Sequence, residues 1–192
     1  MAISKIQASS LEANATNLVH IKTITLGSSS SAFTFLDDDS DVTFDDTYKM
    51  YKFFGSVNIS VDSTAFYVRL SLDGTNIDAI TDGYRYDRLT AIDDSTAVSN
   101  DNLSSVMVFT QNNHGNATGE FMNFECTIIN SEFTYPRLTF RNFANQTDGG
   151  SQLIVGQGRR LTSGKAKGIT FFPASSRSWV ANSFVAMYGV KS

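Results

Sequence analysis

Six aspartates fall within the eleven residues "DDDSDVTFDDT" (37–47), the densest group of candidate ligands in the chain. Asp37, Asp38, Asp39 and Asp41 offer enough carboxylate oxygens to interest a calcium ion. An EF-hand loop, however, needs D-x-[DN]-x-[DN]-G and a bidentate Glu at its twelfth position. Here no Gly follows and the stretch holds no Glu, so a solvated, self-repelling turn is the expectation. "DGTNID" (73–78) fails the same test, because Asp73, Asn76 and Asp78 also lack a distal Glu. Asp-Gly at the end of an alternating strand instead signals a turn or the start of a loop, since Gly accepts the positive φ that tight turns demand. We expect neither a metal nor a cofactor.

Covalent catalysis finds no better footing. There is no G-x-S-x-G elbow, and neither histidine stands in a catalytic context. His20 lies among apolar residues, as a satisfied strand histidine would, and His114 in "QNNHGN" reads as a surface turn. Gly156-Gln157-Gly158 hints at a phosphate loop, but Leu161 occupies the place of the third glycine of G-x-G-x-x-G. A strand with bulge glycines is the better reading. No spacing nominates a carboxylate pair for glycoside hydrolysis, and the chain reads as a non-enzyme.

Binding is the chemistry left open. Tyr84, Arg85 and Tyr86 sit together, and Trp179 stands two residues from Arg177. Aromatic rings next to arginines can stack on sugars and hydrogen-bond their hydroxyls, so Tyr84, Arg85, Tyr86 and Trp179 are the candidate glycan contacts. The alternative is structural: Trp179 packs against the last strand and the tyrosines cover the base of a loop. The net charge of −4 argues against nucleic acid, although the basic "GQGRRLTSGKAKG" could meet phosphates. That net charge hides an asymmetry: residues 137–192 carry eight basic residues and Asp148, a net +7, which leaves −11 for residues 1–136. Such a split describes two solvated faces or opposite patches that set register between subunits.

The elements that must position these residues are strands. Period-2 alternation marks ten segments: 18–26, 31–36, 48–60, 64–72, 103–110, 119–130, 136–143, 151–161, 168–172 and 182–191. No stretch of ten residues carries an i, i+3, i+4, i+7 apolar stripe, and both prolines, Pro136 and Pro173, fall at strand ends. Strands without crossover helices must bury their apolar faces against a second sheet. The expected fold is therefore an all-β, antiparallel β-sandwich of jelly-roll type, with a closed barrel as second choice. With 192 residues, 41% of them apolar and 15 of them Phe, one domain (18–192) has ample core and needs no staple. The single Cys126 alternates with Met122, Phe124 and Ile128, which predicts a buried, inert thiol.

Three segments break the pattern. Residues 1–17 form a polar arm whose large apolar anchors are Ile3, Ile6 and Leu11, candidate attachment residues; 37–47 is the acidic turn; 73–102 reads as a long polar excursion. The N-terminus lacks the basic-then-apolar order of a signal peptide, and no run reaches the roughly 18 apolar residues of a membrane span. We expect a protein made in a cytoplasm, without membrane insertion.

Several motifs are familiar together. An L-V-x-I-x-T strand at "NLVHIKTITL", the hairpin "SSSSAFTF", then "DDTYKMYKF", the strand end "FYVRLSLDG" and the closing "FVAMYGVKS" resemble a repeated pattern in virion structural proteins of marine tailed phages, cyanophages among them. The leader "MAISKIQ" is similar to the "ITKIQ" leaders of phage fibre proteins. The likeness spans about residues 17–90 and the last ten. It implies a β-sandwich component of a tail fibre or other appendage, assembled in the bacterial host cytoplasm and residing in the virion. It also implies a homo-oligomer, a trimer by analogy with fibres, that touches other virion proteins and a host surface glycan. The alternatives are a capsid decoration protein and a carbohydrate-binding module. The motifs are structural, and they carry no ligand residue with them.

Overall fold

Alternation of burial follows the alternation of residue type. A computed structural model describes residues 17–37, 39–77, 83–93, 95–110, 114–117, 119–129, 135–145 and 150–191, with the backbone alone at 101–103. In chain order the strands are β1 (Leu18–Thr25), β2 (Phe33–Leu36), β3 (Met50–Val57), β4 (Phe66–Ser71), β5 (Tyr84–Ile92) and β6 (Ser95–Ser104). There follow β7 (Met107–Val108), β8 (Met122–Ile129), β9 (Arg137–Asn145), β10 (Ser151–Arg160), β11 (Gly168–Pro173) and β12 (Phe184–Val190). No helix occurs among the described residues.

The strands form two antiparallel sheets, ordered β1-β12-β3-β8-β9-β10-β5-β6 and β2-β11-β4-β7. They pack as a sandwich, the architecture the alternation predicts. Every segment expected to be a strand contributes one, and consecutive strands switch sheets over much of the chain, as jelly-roll connections do.

The excursion expected at 73–102 is the main correction, because β5 and most of β6 lie inside it. Their inward positions include Arg88 and Thr90, so the apolar beat that marks other strands is missing there. The reason is geometric: four strands cannot roof eight. Over β5 the second sheet offers the two-residue β7 and, at Tyr84, Leu70 of β4, and beyond β7 Phe109 lies against Phe140 of β9. There the Asn142 side chain donates from Nδ2 to the Phe109 carbonyl at 2.6 Å, and Arg88 Nη1 donates to the Val108 carbonyl at 3.4 Å. Asn142 and Arg88 thus meet backbone acceptors at that end instead of an apolar sheet.

Where the sheets do face each other, the core is aromatic. Phe66 stands edge-on to Phe109, Phe124 and Trp179, with ring centroids 5.0, 5.1 and 5.2 Å away. Phe109 stacks on Phe140 at 4.0 Å. Edge-to-face pairs of this kind add about 0.5–1.5 kcal/mol each beyond the area they bury. Cys126 is fully buried among them, and burial pushes its thiol well above the ordinary cysteine range, so it has little thiolate to react.

The glycines of "VGQGRRL" mark no bulge. β10 pairs β5 in unbroken register from Gln152 to Arg160. A Cβ on Gly156 would stand 2.3 Å from the Phe140 ring and 2.7 Å from the Asp87 carbonyl oxygen, and one on Gly158 would meet the Met107 sulfur at 2.6 Å. These positions are glycine because neighbouring side chains lie over the backbone.

Candidate functional site

Residue parity on β5 decides the fate of the aromatic candidates. Tyr84 and Tyr86 face inward and are buried, while Arg85 between them is exposed. Trp179 lies far along the chain in an isolated bridge to Ser30 and Ile59, fully buried, with its indole Nε1 donating to the Phe171 carbonyl at 3.1 Å. The proposed glycan platform of Tyr84, Tyr86 and Trp179 is therefore corrected: these rings serve the core, and only Arg85 of the four reaches solvent. Ile3, Ile6 and Leu11 lie outside the described residues.

Tyr84 is buried for a reason legible in the ladder. β7 pairs β4 only at Tyr67 and Val68, so Leu70 extends past it. The Tyr84 hydroxyl accepts from the Leu70 amide at 2.9 Å, and Arg160 Nη1 donates to the Leu70 carbonyl at 2.9 Å. Two side chains thus finish what a longer strand would do. Tyr84→Phe leaves the buried Leu70 amide without this acceptor and lowers stability by about 1–3 kcal/mol; urea unfolding followed by circular dichroism measures it, and an unchanged midpoint refutes the role.

The acidic turn is more ordered than a self-repelling loop. Asp37 Oδ1 accepts from the Phe44 amide at 2.8 Å and Asp45 Oδ1 from the Thr47 amide at 2.9 Å, while Asp46 pairs with Lys165. Val42 and Phe44 are buried as anchors. At the Asp-Gly turn, Asp73 Oδ1 accepts from the Thr75 and Asn76 amides, both at 2.9 Å, and Gly74 takes φ +85°. Those amides, with the Ser71 hydroxyl, hold the Asp73 carboxyl well below its usual range. The chain then passes to β5 in the other sheet, so the turn begins a crossover.

One surface with room for a ligand is the outer face of the eight-stranded sheet. Its residues are the odd positions of β9, β10 and β5, and cross-strand register places them in rows. One row runs Val98–Leu89–Val155–Arg141–Glu125, and Leu153 and Phe143 pair in the next. Val98 is 76% exposed and Phe143 54%, which makes a contiguous apolar patch of the kind that marks a contact surface. Beside it Glu125 accepts from Lys52 Nζ at 3.0 Å and Arg141 Nη2 at 2.9 Å. Burial alone would raise the Glu125 carboxyl, but Lys52 and then Arg141 hold it below its ordinary value.

At the other end of these strands the rows turn cationic. Arg159 on β10 pairs directly with Arg85 on β5 and with Arg137 on β9. One row inward, Gln157 pairs with Asp87 and Thr139. Together they line a concavity of about 410 Å³, which adjoins a trough of about 690 Å³ through Asp87, Thr139 and Gln157. The exposed Tyr135 ring flanks it, 5.8 Å from the Arg159 guanidinium carbon. Of this group the sequence nominated Arg85. Arg137 and Arg159 entered only as part of the basic C-terminal third, because their meeting depends on a strand order that periodicity does not give.

Comparison of the chain with protein-family models, with curated proteins and with solved structures finds no match.

Proposed function

We propose that this chain is a non-catalytic structural protein of a tailed-phage particle, a tail-fibre or tail-appendage β-sandwich that works as a homo-oligomer. The observation that carries the reading is the way its resemblance-bearing motifs fit one another. "LVHIKTIT" is β1, "FVAMYGV" is β12 and "MYKFFGSV" is β3, and these pair side by side as β1-β12-β3. The Tyr48 ring of "DDTYKMYKF" lies over Gly189 of "MYGVK", where a Cβ would come within 2.3 Å of it. Gly74 of "LDG" packs likewise against Asp37, whose Cβ would lie 3.0 Å from a Cβ added there. Segments far apart in the sequence thus form one interlocked unit, which supports reading the motifs as parts of a single structural module.

Mass spectrometry of purified particles from the phage encoding the chain tests the reading, and absence of the protein from mature particles removes it. The exposed apolar patch around Phe143 and Val155 gives a second reading some support, a capsid decoration protein lying against neighbouring subunits. Immunogold labelling separates the two: label at the tail supports the appendage and label over the head supports decoration.

A further inference from the structure

We propose that the arginine end of the outer sheet binds an anionic saccharide, a sugar bearing carboxylate or phosphate oxygens. The proposal gives a ligand class to the host contact made by an appendage, and it rests on that reading for its setting alone. Three arginines occupy consecutive rungs of one row, Arg137–Arg159–Arg85. The guanidinium fork matches a carboxylate or phosphate with two parallel hydrogen bonds. The next row supplies what the rest of a sugar requires: the Gln157 amide, the Thr139 hydroxyl and the Asp87 carboxylate, which accepts from hydroxyl groups.

Size and shape agree with this chemistry. A concavity of about 410 Å³ lies within the range of small-ligand sites. It opens along Thr139 and Gln157 into the larger trough, so further sugar units have a path across the sheet. Asp87 among the arginines suits a polyhydroxylated ligand and opposes a continuous phosphate backbone, and the net charge of −4 gives nucleic acid no long-range attraction. The aromatic platform that sequence suggested is buried, and recognition passes to guanidinium groups and neutral polar side chains.

Titration calorimetry of the full chain with trigalacturonate, mannose 6-phosphate and neutral maltotriose tests the proposal, at low and high salt. The expected result is saturable binding of an anionic probe that weakens with salt, and none of maltotriose. Binding of trigalacturonate alone assigns a carboxylate ligand, and binding of mannose 6-phosphate alone assigns a phosphate ligand. Arg159→Gln lowers the affinity about tenfold or more, while Arg177→Gln, at an exposed cation outside the cluster, changes it less than about twofold. Failure of both anionic probes, equal binding of maltotriose, or an Arg159→Gln variant that binds as wild type overturns the proposal. Sedimentation that shows self-association abolished by Arg159→Gln also overturns it, and assigns the arginines to the acidic turn of a second copy. Because these measurements use purified protein, they fail or succeed independently of whether the chain is found in particles.

Discussion

Replacing Trp179 by alanine lowers the stability of this protein by about 3–5 kcal/mol, the cost of removing a large aromatic from a packed core. In a domain of this size each kcal/mol moves Tm by about 2–4 °C, so the midpoint falls on the order of 10 °C. Trp179 is fully buried, packs against Phe33 and Phe66 with centroids 6.2 and 5.2 Å away, and satisfies the Phe171 carbonyl through its indole N–H. Trp179→Phe keeps an aromatic ring but loses that donor, and costs about 1–2 kcal/mol. Circular dichroism through a urea transition reads both variants, and the single tryptophan reports wild-type unfolding by the red shift of its emission. An alanine variant within about 0.5 kcal/mol of wild type would place the ring outside the core and reopen the stacking role that its neighbour Arg177 first suggested.

The contrast between Trp179 and the arginines shows what a sequence conveys. Alternation is a local property, so "MYKFFGSV" and "MNFECTII" declare both their strands and their buried faces. At β3 and β8 the inward residues Tyr51, Phe53, Phe124 and Cys126 are all buried, as the pattern demands. A strand under a full apolar roof has to look like one. β5 lies at the margin of that roof, where Arg88 and Thr90 point inward, and "YRYDRLTAI" consequently reads as a loop. The same margin turns Leu89 and Val98 outward, which reverses the usual rule that large apolar residues mark the core face.

The candidate site was hidden for a different reason. "GRR" alternates like any strand end, and parity alone sends Arg159 and Arg160 to opposite faces: Arg160 is buried against Leu70, while Arg159 faces outward. What parity does not contain is the order of strands. Arg137, Arg159 and Arg85 are separated by up to 74 positions in the numbering, and only the arrangement β9-β10-β5 brings them abreast. Long-range register carries the chemistry here, and single-sequence periodicity is blind to it. The motifs of the resemblance were easier to find because they are local, yet their complementarity, Tyr48 over Gly189, is again a property of the assembled sheet.

A buried histidine supplies the second large effect, a loss of stability between pH 7 and pH 5. "QNNHGN" promised a surface turn, but His114 is 1% exposed and neither ring nitrogen meets a partner at hydrogen-bond geometry among the described residues. Burial pushes its pKa down from 6.5 to about 4, against the weaker opposite pull of the Asn145 backbone and the Asp62 carboxylate. The folded state therefore binds fewer protons than the unfolded chain throughout that interval, and stability falls as pH drops. It is complete above the unfolded value, and about 2 kcal/mol is lost on going from pH 7 to pH 5. Acid titration of the depressed carboxyls of Asp73, Asp46 and Glu125 belongs to lower pH, since a carboxylate held below its ordinary value contributes stability that disappears only as it is protonated. His114→Leu separates the contributions, because a side chain that does not ionise has no proton to take up on unfolding. Urea unfolding at pH 7 and pH 5 should show wild type losing about 2 kcal/mol and His114→Leu losing less than about 0.5 kcal/mol over the same window. A wild-type protein equally stable at both values, or a leucine variant with the same slope, would mean that His114 is solvated and that its contact with the end of β9 is open to water.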